Sequence, residues 1–144
     1  VKVTGRYRTI NREKLDLEAL QRELQAPNTL RQKVFNGYLE MLNVRGHLSN
    51  GGFNPQGRQV ILEVDDHMMS LLRQSPDGQA SVLCLINVTQ DTLSVDFSRR
   101  AHPLLDNKNW REILSRNSSL IAAHAGLWVE MGPYGVLWLL AERD

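Results

Sequence analysis

The chain has 144 residues, 42% hydrophobic and 23% charged, with a formal net charge of +1. These are the proportions of a globular protein large enough for one domain with an appendage. The near-neutral balance excludes a dedicated nucleic-acid binder, and no run reaches the roughly 18 apolar residues that a bilayer span requires.

The basic residues are thirteen Arg against four Lys. That bias suits bidentate contacts with carboxylates and sugar hydroxyls. Cys84 is the single cysteine and lies in the apolar run Val82-Leu83-Cys84-Leu85-Ile86. It has no disulfide partner in the chain, so a buried, unreactive thiol in a reducing, cytoplasmic compartment is expected. No basic segment followed by an apolar one opens the chain, so no secretion signal is read. The first residue is Val1 rather than Met, and the last apolar run closes the sequence, so a C-terminal piece of a longer polypeptide is expected.

From Asn11 to about Leu48 the spacing predicts helices. Leu17, Leu20 and Leu24 recur at helical intervals until Pro27-Asn28 stops the pattern. Thr29 is a candidate cap for a second helix whose Leu30, Val34, Tyr38 and Leu42 share one face. Neither helix has a sheet of its own to cover it. Turn chemistry fills Gly46 to Gly57. Strands are then predicted at Val60–Asp65, Met68–Arg73, Ser81–Val88, Leu93–Phe97, Leu120–Ala125, Leu127–Met131 and Gly135–Leu140. Ser75-Pro76-Asp77-Gly78 is a turn. The unbroken Ser81–Val88 run predicts a strand covered on both faces, and Trp110–Ser115 reads as a short helix or an irregular crossing. The fold class is therefore mainly β, an antiparallel sandwich or barrel behind two helices. The organisation is a helical part at 1–48, a linker at 49–57 and a β domain at 58–144.

Several constellations invite a chemical reading. Asp65-Asp66-His67 offers metal-ligand types, but adjacent residues on extended backbone point to alternate sides, and a solvated turn is expected. Glu63 and Asp65 share a strand face, yet a catalytic pair needs an apolar wall to separate two pKa values. His102 and His124 lack ligand spacing. Trp128 and Trp138 fall inside strands and read as core, which leaves Trp110 as the candidate for stacking on a sugar. Tyr134 and Trp138 are expected to seal the core. Asn87-Val88-Thr89 and Asn117-Ser118-Ser119 fit the glycosylation pattern by coincidence, and Arg99-Arg100 is too short for a nucleic-acid patch.

Arg73, the turn Ser75–Gly78, the strand Val82–Ile86 with Asn87-Val88-Thr89, and the closing Pro133-Tyr134-Gly135-Val136-Leu137-Trp138-Leu139 occur in one order and spacing. Together they resemble the C-terminal β domain of α-amylase superfamily enzymes. Arg8-Thr9-Ile10-Asn11-Arg12-Glu13 resembles the Ile-Asn-Arg segment of the sucrose-phosphorylase-like branch, so the likeness spans nearly the whole chain. The resemblance implies an antiparallel β-sandwich preceded by two helices left over from a (β/α)8 barrel. It implies a parent enzyme that cleaves an α-glucoside by double displacement and passes the glucosyl group to phosphate, giving α-glucose 1-phosphate. It implies no cofactor and no metal. Its two catalytic carboxyl groups would lie in the missing N-terminal barrel, leaving the present residues non-catalytic. Arg12 would fix sugar hydroxyls at the rim of the glucosyl subsite; the alternative is a surface ion pair with Glu13 or Asp16. Glu13-Lys14 departs from the run typical of sucrose phosphorylases, which opens the donor to a phosphorylated sucrose or glucosylglycerate. A free-standing carbohydrate-binding or purely structural β module remains the alternative.

Overall fold

The computed structural model describes residues 15–97, 105, 109–114, 119–123 and 126–141. Two compact units divide the chain, Val1–Glu40 and Met41–Asp144.

In the first unit, α1 (Leu17–Gln25) starts at Asp16, whose Oδ1 accepts from the backbone N–H groups of Glu18 and Ala19 at 2.9 and 3.1 Å. That satisfies two of the donors a helix start leaves unpaired. Ala26, held extended by the following Pro27, ends it. Thr29 opens α2 (Leu30–His47), whose residues from Met41 on belong to the second unit: Thr29 Oγ1 accepts from Gln32 N–H at 3.2 Å and donates to Glu23 O at 2.9 Å. The capping role read from the sequence is borne out. Leu30, Val34, Tyr38 and Leu42 share one face of the helix as read, but all four are exposed. Phe35 and Leu39 join Leu30, Val34 and Tyr38 as exposed apolar residues, and none in either helix is buried. Apolar residues thus ring α2 on several sides.

The second unit is a sandwich of two antiparallel sheets. Its strands are β1 (Arg58–Asp65), β2 (Met68–Gln74), β3 (Ser81–Asn87), β4 (Leu93–Asp96), β5 (Trp110–Glu112), β6 (Ser119–Ala123), β7 (Gly126–Met131) and β8 (Val136–Ala141). One sheet runs β1-β2-β3-β8-β5 and the other β4-β7-β6. Strand alternation sorts the side chains. Leu62, Val64, Met68, Leu72, Leu83, Leu85, Leu137 and Leu139 point inward from the larger sheet. They meet Val95, Leu127, Val129 and Met131 of the smaller one in the main core. A second core lies on the outer face of the larger sheet, where Val82, Cys84 and Trp138 pack with Phe53 and Leu114 beneath Met41, Val44 and Leu48. Two cores on opposite faces explain why β3 has no polar side: Leu83 and Leu85 serve one, Val82 and Cys84 the other.

Trp110–Glu112 is neither helix nor irregular crossing. It is an edge strand, with Trp110, Arg111 and Glu112 opposite Ala141, Leu140 and Leu139. Its three residues are too few to carry a period, and only β8, nearly thirty positions later, makes it a strand.

Residues 49–57 lie directly on the sheet. A Cβ on Gly57 would collide with the carbonyl oxygen of Gln74, and one on Gly52 with the Val82 side chain, so both positions need glycine. Phe53 is buried and tilts against Trp138 at 4.7 Å between ring centroids.

Candidate functional site

Among the described residues, two side chains of the β domain, Arg73 and Asn87, each make three or more hydrogen bonds. Arg73 points outward from β2. Its Nη2 donates to Asn54 O at 3.1 Å, its Nη1 to Gln59 Oε1 at 3.0 Å and its Nε to Gly52 O at 3.4 Å. The guanidinium carbon stands 5.9 Å from the centre of the Phe53 ring. A planar fork with five donors can hold two turns of 49–57 and a neighbouring strand at once, which a lysine ammonium cannot do. Arg73 thus clasps that segment to the sheet.

Asn87 ends β3 and is buried. Its Nδ2 donates to Asp91 O at 2.7 Å and to Gly132 O at 2.8 Å, while its Oδ1 accepts from Thr89 N–H at 2.9 Å and Thr89 Oγ1 at 2.8 Å. Asn87 N–H donates to Gly135 O, and Tyr134 N–H to Thr89 O, each at 2.9 Å. One amide therefore ties the β3–β4 loop to the Gly132–Gly135 corner. Both ends of that amide are used inside the fold, so Asn87 cannot carry a glycan in the folded domain. At this corner Tyr134 takes φ +52 and is 67% exposed. It does not seal the core as expected, because the left-handed turn swings its side chain outward. Trp138, two residues into β8, does.

The other candidates resolve on geometry. Trp110 is buried in the main core, so it offers no face to a sugar, and the expected stacking role is corrected. Trp128 is also corrected: Leu127, Val129 and Met131 face the core, and alternation leaves half-buried Trp128 on the outer side of the smaller sheet. Asp65 Oδ1 accepts from His67 N–H at 2.8 Å and lies 3.2 Å from His67 Nδ1, which makes Asp65-Asp66-His67 a hydrogen-bonded hairpin turn. Among the described residues no three His, Cys, Asp or Glu side chains converge as a metal site. Glu63 is exposed, without the apolar wall that a catalytic pair needs. Arg12, His102, His124, Arg99-Arg100 and Asn117 lie outside the described residues.

Cys84 is buried as expected. Burial pushes its thiol up to about 12, against a smaller opposing pull from Arg73. The unfolded thiol ionises near 9.0. Below that pH both states hold the proton; above it the unfolded chain loses its proton first, so stability falls as pH rises from about 9 to about 12. Between pH 8.5 and 10.5, wild type should lose about 2 kcal/mol more unfolding free energy than Cys84→Ala. Paired urea titrations at the two pH values measure this; parallel losses in both proteins would contradict it.

Residues 65–139, just over half of the chain, match the family model described as D-apionate lactonase, C-terminal immunoglobulin-like domain. The chain belongs to this family. The matched stretch of this immunoglobulin-like domain runs from the β1–β2 hairpin to β8 and includes both Arg73 and Asn87. Among curated proteins, a glucosylglycerate phosphorylase of Spirochaeta thermophila is 37% identical across the whole chain, which covers 25% of that protein. A glucosylglycerate phosphorylase of Escherichia coli is 25% identical over 96% of the chain and 22% of its own length. The chain thus spans about a quarter of the length of these relatives. An Anoxybacillus α-amylase superposes with a TM-score of 0.62 at 13% identity, over 83% of this chain and 24% of that one. Trehalose-6-phosphate hydrolase of Bacillus licheniformis gives 0.60 at 12% identity, over 85% and 20%. At such identities the likeness is one of fold. It bears out the mainly β fold, an antiparallel sandwich preceded by two helices.

The Arg73 clasp and the Asn87 tie were missed as such in the sequence. Their positions stood out in the family resemblance, but their partners lie up to 45 residues away, beyond any local pattern.

Proposed function

We propose that this chain is the C-terminal cap of a retaining α-glucoside phosphorylase of the glucosylglycerate-cleaving kind. The observation that carries the reading is 37% identity along the entire chain to a glucosylglycerate phosphorylase four times its length. The bare apolar ring of α2 supports it, since Leu30, at 78% exposure, and Val34, at 63%, need a covering body.

On this reading 1–48 are the last helices of a (β/α)8 barrel, 49–57 the connection and 58–144 the cap. The barrel carries two carboxyl groups about 5–5.5 Å apart. One attacks the anomeric carbon while the other protonates the departing oxygen. An oxygen of inorganic phosphate then displaces the enzyme carboxylate, returning its proton to the second group and releasing α-glucose 1-phosphate. Neither a metal nor an organic cofactor takes part, and the compartment is the cytoplasm. No described helix is long and apolar enough to cross a membrane. The cap itself performs no chemistry. Arg12 supplies sugar-hydroxyl contacts at the glucosyl subsite, where a fixed guanidinium fork matches paired oxygens. The module alternative needs an exposed Trp110, and Trp110 is buried.

In the full-length enzyme, Arg12→Ala should lower phosphorolysis at least about 30-fold, on the order of 2 kcal/mol, with an unchanged unfolding midpoint. Initial rates of glucose 1-phosphate formation read the effect. A rate within about twofold of wild type would assign Arg12 to structure alone.

A further inference from the structure

One large aromatic side chain stands among polar ones on the outer face of the smaller sheet. Leu127, Val129 and Met131 of β7 point into the main core, so Trp128 and Glu130 point away from it. On β4, Val95 is buried in that core, so Ser94 and Asp96 share the outer side. Register sets Asp96 directly opposite Trp128 and Ser94 directly opposite Glu130. An indole is thereby grouped with two carboxylates and a hydroxyl. Trp110 and Trp138 are buried, whereas Trp128 is half-buried, and Ser94 and Glu130 are exposed. Charged groups are scarce at the centre of protein–protein interfaces, so this patch is a poor seat for another protein. It matches a ligand with a C–H face and a rim of hydroxyl donors.

We propose that this patch binds a neutral pyranose chain, with one sugar ring lying on the Trp128 indole. The C–H bonds of the ring meet the π face, whose negative charge attracts them. Its hydroxyl groups donate to the carboxylates of Asp96 and Glu130, because an ionised carboxylate only accepts and the sugar must supply the protons. The Ser94 hydroxyl can donate or accept at the same rim. Neighbouring strands stand about 4.8 Å apart, so one pyranose ring reaches from the indole on β7 to the carboxylate on β4. The two carboxylates repel phosphorylated, sulfated and uronic sugars, which selects a neutral chain. The patch shares no residue with the phosphorylase reading above, so the two stand or fall separately.

The test titrates the 144-residue chain with maltoheptaose and with cellohexaose and follows the indole N–H resonances of its three tryptophans. With at least one of the two sugars, Trp128 should shift and saturate with a Kd on the order of 1 mM, while buried Trp110 and Trp138 stay in place. Trp128→Ala should abolish binding. Glu130→Gln, at an exposed position, should keep the unfolding midpoint and weaken binding at least about threefold. Should Trp128→Ala not fold, Glu130→Gln alone carries the test. No shift of Trp128 up to about 20 mM of either sugar overturns the proposal. So does unchanged affinity in Glu130→Gln. A tighter response to tetramethylammonium than to either sugar also overturns it, since the indole and carboxylates would then form a cation site.

Discussion

Replacing Leu83 with alanine should lower the unfolding free energy of the β domain by about 4 kcal/mol. Leu83 sits in the middle of β3, between Leu72 of β2 and Leu139 of β8, and all three are fully buried. Above them are Val129 and Met131 of the other sheet, also without exposure. Alanine would remove the transfer free energy of an isobutyl group and leave a cavity that two hydrogen-bonded sheets cannot collapse to fill. Leu83→Met, which conserves volume, should cost less than about 1.5 kcal/mol. Urea unfolding followed by tryptophan fluorescence measures both. A loss below about 1 kcal/mol for the alanine variant would mean that the two sheets are not packed as described.

Asn87→Ala comes next, at about 3 kcal/mol. The side chain makes four hydrogen bonds from a buried position, and its removal strands the carbonyls of Asp91 and Gly132 and the N–H of Thr89. A group left unpaired costs about 1–3 kcal/mol where water cannot reach it, and water recovers part of this at Asp91 and Gly132, which are exposed residues. Asn87→Asp should be worse at neutral pH, since a carboxylate would face two carbonyl oxygens. Lowering the pH should narrow that difference, because the introduced carboxyl group regains one donor on protonation. The loss should also be local: amide exchange should accelerate first at Thr89, whose N–H the Asn87 side chain accepts, and at Tyr134, whose N–H donates to Thr89 O. Uniform acceleration across all strands would indicate a packing defect instead of a severed tie.

The sequence carried the sandwich further than it carried the contacts within it. Alternation in β1, β4 and β7 and the unbroken apolar run of β3 were legible because each depends on the residues themselves and their immediate neighbours. The same alternation, applied strictly, places Trp128 on the outer side; reading it as core because it falls inside a strand overlooks which face its position takes. Trp110 went the other way, since a three-residue edge strand acquires its core position only from pairing with β8. Tyr134 depends on a left-handed backbone that no hydrophobic pattern encodes. The partial cover over the outer sheet face was also invisible, because Phe53 sits in a segment whose turn chemistry masks its role as a core residue. The resemblance to α-amylase C-terminal domains drew on Arg73, Asn87 and the Pro133-Tyr134 corner. The structure gives these a physical reason: Arg73 fixes the incoming segment, and Asn87 fixes the corner that leads into the last strand.

The phosphorylase reading meets its most direct test in the full-length parent polypeptide, incubated with glucosylglycerate and inorganic phosphate. The account predicts phosphate-dependent release of α-glucose 1-phosphate and glycerate in equal amounts, with retained anomeric configuration. Cleavage to free glucose at the same rate with or without phosphate would contradict it.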